Sequence, residues 1–191
     1  MGKLIYFATT SLDGYIEDAS GSFDWSAPDE EVHAFVNDRL RSASVFLFGR
    51  RMYEVMAVWE DPAIAESSPA MADFAKIWQA ADKIVYSTTL DRVTTLRTTL
   101  ERRFEPERVR SLKESTPGDI GIGGSSLAAA VWRAGLVDEC RLFVVPWLVG
   151  GGKRALPEGV RLPLELLDQR QFDSGVVYLH YRVLPEGGAV Q

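Results

Sequence analysis

Short apolar runs that end at a turn and pass into a helical pattern recur along this chain, and that alternation restricts its fold more than any other feature. Leu4–Ala8, Val45–Phe48, Lys83–Tyr86, Asp119–Ile122 and Cys140–Val145 are rich in β-formers and read as strands. Helical spacing fills the gaps between them. Val32, Phe35, Val36 and Leu40 follow the helix-start signal Pro28-Asp29-Glu30-Glu31, and Met52, Val55 and Met56 lie within Arg50–Val58. Phe74, Ile77 and Trp78 share one face of Pro69–Ala81, Pro106–Lys113 reads as a short basic helix, and Ser125–Ala134 is alanine-rich and helical. Strands that alternate with helices close into a mostly parallel sheet covered on both faces. Near the C-terminus the pattern changes. Phe172–Val183 carries a terminal strand with a partner around Leu162–Leu167, and with no helix between them an antiparallel edge hairpin is expected. Leu90–Arg103 has no clear period. A chain of 191 residues fits one domain, taken as residues 1–191.

Composition removes several classes of function. Cys140 is the only cysteine, so no intrachain disulfide can form and a reducing, cytoplasmic setting is expected. No apolar stretch approaches the ~20 residues that cross a bilayer. The net charge is −6 and no basic stripe offsets it, which argues against a nucleic-acid partner. No group of His, Cys, Asp and Glu has metal-ligand spacing, so no metal is expected.

The chemistry-bearing motifs sit where strands end. Gly123-Gly124-Ser125-Ser126 follows a strand and opens a helix: glycine allows a tight turn and close approach, and a helix start offers free N–H groups and positive potential to a phosphate. A turn without a ligand uses the same residues. A Rossmann fingerprint fits poorly because Ser126 stands at its last glycine, and a nucleophile elbow lacks its closing glycine at Leu127. Gly49-Arg50-Arg51 follows another strand, and arginine's planar fork of donors suits a phosphate dianion, although a solvated pair is the ordinary alternative. Ser87-Thr88-Thr89 supplies hydroxyls at a third strand end. Parallel strands would bring all three to the carboxyl edge of one sheet, where open α/β sheets bind ligands.

Taken in order, these segments are recognisable. Ser11-Leu12-Asp13-Gly14-Tyr15-Ile16, Gly49-Arg50-Arg51-Met52-Tyr53, Lys83-Ile84-Val85-Tyr86-Ser87, Gly123-Gly124-Ser125-Ser126-Leu127 and Val137-Asp138-Glu139-Cys140 leading to Val145-Pro146-Trp147-Leu148-Val149-Gly150-Gly151-Gly152 resemble the dihydrofolate-reductase-like superfamily. Within it the chain is most similar to the reductase domain of riboflavin-biosynthesis deaminase-reductases, the RibD C-terminal family. The resemblance implies a three-layer α/β/α fold, NADPH as cofactor and a homodimer. It implies that Arg50 and Arg51 bind the 2′-phosphate or the nearby diphosphate, with Gly49 at the turn. It implies further that Ser87, Thr88 and Thr89 flank the adenosine, that Ile122, Gly123, Gly124, Ser125 and Ser126 hold the diphosphate, and that Ala8 and Ile16 lie against the nicotinamide. Met52 stands where dihydrofolate reductases often have threonine, which removes one hydroxyl contact.

The reaction side is less determined. Asp13 is a candidate catalytic group near the nicotinamide, or a turn-former in Asp-Gly. Glu31, with Asp29 and Glu30, is a candidate substrate anchor, or part of an acidic helix start. Trp25 and Tyr53 would offer flat walls to a planar substrate unless they belong to the core. His33 and His180 read as structural. The expected activity is hydride transfer from NADPH to a small heterocyclic or carbonyl substrate of pterin or pyrimidine type. The alternatives are a non-catalytic NADPH-binding module using the same crevice, and an interaction protein whose glycines only shape turns.

Overall fold

The strand-like runs form the centre of the molecule. The computed structural model describes residues 2–185; Met1 and residues 186–191, the ends of the expected domain span, lie outside the described residues. In chain order the elements are β1 (Leu4–Ser11), β2 (Tyr15–Glu17), α1 (Glu30–Leu40), β3 (Ala43–Gly49), α2 (Arg50–Met56), α3 (Pro62–Ala65), α4 (Pro69–Ala80), β4 (Asp82–Tyr86) and β5 (Thr98–Glu101). They continue with α5 (Pro106–Ser115), β6 (Asp119–Gly123), α6 (Ser125–Arg133), β7 (Glu139–Val145), β8 (Lys153–Arg154), β9 (Leu164–Gln171) and β10 (Val177–Val183). Local chemistry sets several boundaries. Asp29 caps α1 by accepting from the Val32 amide, and Ser68 caps α4 ahead of Pro69 at its first turn.

Eight strands form one sheet in the order β5-β4-β3-β6-β1-β7-β10-β9. Strands β5, β4, β3, β6, β1 and β7 run parallel, and β10 and β9 complete the sheet as an antiparallel hairpin. A short antiparallel pair, β2 with β8, stands apart from it. Alternate residues face opposite layers. Leu4, Tyr6, Leu47, Ile120 and Ile122 pack against Val109 of α5 and Leu127, Ala128, Val131 and Trp132 of α6. On the other face Phe46, Phe48 and Val85 meet Phe74 and Trp78 of α4, while Phe143, Val145 and Tyr178 meet Val32 and Phe35 of α1. The result is the expected three-layer α/β/α arrangement with its edge hairpin.

Two readings need correction. Phe172–Val183 carries the terminal strand as expected, with Phe172 buried in the turn, where its amide donates to the Val176 carbonyl, and β10 beginning at Val177. Its partner runs to Gln171 because β9 is an edge strand whose outer residues Glu165, Asp168 and Arg170 hide its alternation. The unassigned Leu90–Arg103 stretch contains β5, a polar strand at the opposite edge.

Gly121 lies in the middle of the sheet, and a Cβ there would sit 2.6 Å from Cδ1 of buried Phe46. We predict that Gly121→Val destabilises the protein by about 1–3 kcal/mol through overpacking; thermal denaturation checks it, and an unchanged midpoint would contradict the packing described.

Candidate functional site

The parallel register brings the motif-bearing strand ends side by side. Phe48 pairs with Val85 on one flank and with Gly123 on the other. The ends of β4, β3 and β6 therefore lie next to one another, and at ordinary strand spacing they span about 10 Å. The helices associated with β1 and β3 cover one face, whereas α5 and α6, which lead into and out of β6, cover the other. This is a topological switch point, where the connections part and leave a crevice.

Gly124 forms the turn out of β6 with φ +84°, in the left-handed region, and is the cap residue of α6. No side chain caps this helix, so its first amides remain available. A Cβ on Gly124 would lie 3.0 Å from the Met52 Cβ, and one on Gly123 would lie 3.3 Å from the Met52 Cε. Met52 thus fills the space beside the turn with an apolar side chain where the resemblance expected a hydroxyl. Ser125 is buried and Ser126 is exposed at the helix start.

Arg50, first residue of α2, donates from Nη1 to Thr89 Oγ1 at 3.0 Å and from Nε to Glu54 Oε1 at 2.8 Å. This contact joins the ends of β3 and β4, and the guanidinium stays half exposed. Arg51 faces elsewhere, because neighbouring helical residues point about 100° apart. It pairs with Glu17 at 3.1 Å and donates to the Gly21 carbonyl at 3.3 Å, holding the loop after β2. Ser87 turns inward: its buried Oγ accepts from the Thr89 and Leu90 amides and fixes the turn, leaving Thr88 and Thr89 exposed.

On the reaction side, Ala8 in the middle of β1 and Ile16 in β2 are partly buried. Asp13 is not placed to give up a proton. Its carboxylate accepts from Ser11 Oγ at 2.6 Å, from the Val149 amide at 3.1 Å and from the Gly150 amide at 2.7 Å. These donors favour the charged form and lower its pKa to about 2. Sequence reasoning missed this receptor; the glycine run at 150–152, here with φ +77° at Gly150, was its only signal.

Tyr53 is not a substrate wall. It is 3% exposed, and its hydroxyl accepts from the Thr94 and Thr95 amides at 2.8 and 3.2 Å. Trp25 packs against the α1 core cluster with its indole N–H buried and unpaired. Glu31 is exposed and accepts from Arg170 of β9 at 2.5 Å. Asp29 caps α1, and Glu30 accepts from the Ala70 amide, so both acids are engaged in helix ends. His33 lies half buried between Trp59 and Phe74, and burial lowers its pKa.

A groove of about 890 Å³ opens at the opposite, amino edge of the sheet, lined by Ala43, Val45, Ile77, Ala81 and Thr116 and flanked by the Arg41–Asp73 and Arg97–Asp82 pairs. It gathers none of the glycine turns or hydroxyl loops, so we assign the site to the carboxyl edge. Among the described residues no group of three or more His, Cys, Asp or Glu stands close enough to hold a metal ion. No helix among them is long and apolar enough to cross a membrane.

The chain has a dihydrofolate-reductase-like fold. The family model of the RibD C-terminal domain matches residues 2–178, and the chain belongs to that family. It is 29% identical over 185 residues to the uncharacterized protein YyaP of Bacillus subtilis, covering 94% of each chain. The crystal structure of a putative riboflavin biosynthesis protein from Shewanella sp. PV-4 superposes with a TM-score of 0.74 at 21% identity, over 96% of this chain and 99% of that one. Dihydrofolate reductase from Enterococcus faecalis, complexed with NADP(H), superposes with a TM-score of 0.62 at 14% identity, over 95% and 96% of the two chains.

The depressed pKa of Asp13 has a definite sign. Its contribution to stability is complete above the unfolded value of about 3.9 and is lost as pH falls toward the folded value of about 2. We predict that the loss of thermal stability between about pH 4 and pH 2 is shallower in Asp13→Asn than in wild type. Parallel acid profiles in a set of melting curves would contradict this.

Proposed function

We propose that the protein is an NADPH-dependent reductase of a small pyrimidine- or pterin-like heterocycle. The observation that carries this reading is the alignment of three anion-compatible strand ends, Arg50–Thr89 at β3 and β4 and the uncapped Gly124–Ser126 helix start at β6, along one crevice. The residues present fit such a cofactor. The cradle beside Gly124 has no room for a Cβ without displacing Met52, and the α6 amides face no side-chain cap. Family membership supports a reductase, as does the shared fold of a reductase complexed with NADP(H).

In this reading the α6 amides receive the diphosphate, while Arg50 and Thr89 receive the 2′-phosphate with Thr88 beside the adenosine. Arg51 holds Glu17 of β2 and Gly21 of the loop after it, on the nicotinamide side, and takes no part in the phosphate site. Ala8 and Ile16, both partly buried, would lie on the nicotinamide side and help to exclude water there. When bound, NADPH supplies the hydride. Neither Asp13, whose carboxylate is held by the Ser11, Val149 and Gly150 donors, nor Glu31, engaged by Arg170, is placed to deliver the accompanying proton. We propose a homodimer as the assembly.

Fluorescence titration tests the cofactor assignment. Wild type is expected to bind NADPH more tightly than NADH. Replacing Arg50 by Ala should weaken NADPH by about 10–100-fold, the worth of one hydrogen bond to a charged group, and change NADH by less than about twofold. Equal loss for both nucleotides would remove Arg50 from the phosphate site.

A further inference from the structure

The segment between β1 and α1 crosses the carboxyl edge of the sheet and is tied along its length to the loop that follows β7. The Leu12 amide donates to the Trp147 carbonyl at 2.9 Å, and the Ala155 amide donates to the Gly14 carbonyl at 2.9 Å. Tyr15 and Glu17 of β2 pair with Arg154 and Lys153 of β8. Gly152 lies so close to the Glu17 carbonyl that a Cβ would approach it to 2.0 Å. Among these ties one is charged. Successive amides at Val149 and Gly150 converge on the Asp13 carboxylate, a nest of the kind that elsewhere receives an external anion, here filled from within the chain. Ser11 fixes the carboxylate from the other side. Its hydroxyl donates to Asp13 and accepts from the Tyr15 amide at 2.9 Å, so one serine couples the end of β1, the turn and the clasp.

The clasp also determines what lies next to it. Leu12, Trp147 and Leu148 are 68%, 55% and 73% exposed on the two tied loops, an apolar group directly beyond the ends of β1 and β7. The phosphate-compatible ends of β3, β4 and β6 lie on the other side of β1 in the sheet order.

We propose that Asp13 is a positioning residue: by drawing the Val149–Gly150 amides onto the turn after β1, it sets the shape of the nicotinamide and substrate side of the crevice and leaves the phosphate side alone. The inference rests on the cofactor reading above, and its test separates the two. The probes are NADPH, which spans both sides, and 2′,5′-ADP, which carries only the adenosine and its phosphates. In Asp13→Ala and Asp13→Asn, hydrogen exchange at the Val149 and Gly150 amides should accelerate at least about tenfold as their acceptor weakens or disappears. Affinity for 2′,5′-ADP should stay within about twofold of wild type, while NADPH binds about tenfold more weakly. NADPH should also lose the enhanced nicotinamide fluorescence of its complex with wild type. Ser11→Ala keeps the carboxylate and both amides, so it tests a milder loosening if the Asp13 variants fold poorly; its values should fall between wild type and Asp13→Asn. Fast exchange with an unchanged nicotinamide signal would overturn the positioning role, as would equal losses for both probes. Unchanged exchange would overturn the clasp itself. Failure of wild type to bind either probe would defeat the cofactor reading, and the positioning role with it, while the exchange measurement still decides whether the clasp exists.

Discussion

The site depends on the parallel register that sets Phe48 opposite both Val85 and Gly123. Because the side-chain period in a strand is two residues, a slip of one residue in β6 would turn Ile120 and Ile122 from the α5–α6 layer toward the α4 layer. The same slip would move Gly124 away from Met52 and carry the start of α6 out of line with Arg50. Core packing and site geometry are therefore one constraint. The buried side chains that fix the register also fix which turns share the crevice. Met52 shows the coupling at one position, since it packs against the glycine turn while its neighbours Arg50 and Arg51 face outward in different directions.

The parts of this architecture that were legible in the sequence are those where burial dictates residue type on both sides of a strand. Strands β1, β3, β4, β6 and β7 lie inside the sheet, so their apolar runs are nearly continuous, and β1, β3, β4 and β6 end at or just before glycine or hydroxyl residues. Elements at the margins were not legible. Strand β5 is Thr98-Thr99-Leu100-Glu101, which no periodicity separates from loop, and β8 is only Lys153-Arg154. Their strand geometry comes from a partner distant in sequence, a cause that local pattern does not contain.

The candidate site divides in the same way. Gly124 and Arg50 were legible because their chemistry is local: a turn with positive φ and a charged group at a helix start. The roles of Tyr53 and Asp13 were not, because each depends on a distant backbone. Tyr53 lies on the buried side of α2, and the amides its hydroxyl satisfies belong to Thr94 and Thr95. Asp13 stands in an ordinary Asp-Gly turn, yet its amide partners come 136 and 137 residues later. The adjacent arginines diverge for a simpler reason, the 100° rotation between neighbours on a helix.

A crystal structure of the protein grown with NADPH tests the central claim most directly. The account predicts diphosphate density against the amides of Ser125 and Ser126, with the 2′-phosphate within hydrogen-bonding distance of Arg50 and Thr89. Density in the amino-edge groove near Ala43 and Thr116, or at the carboxyl edge with the 2′-phosphate turned away from Arg50, would contradict it.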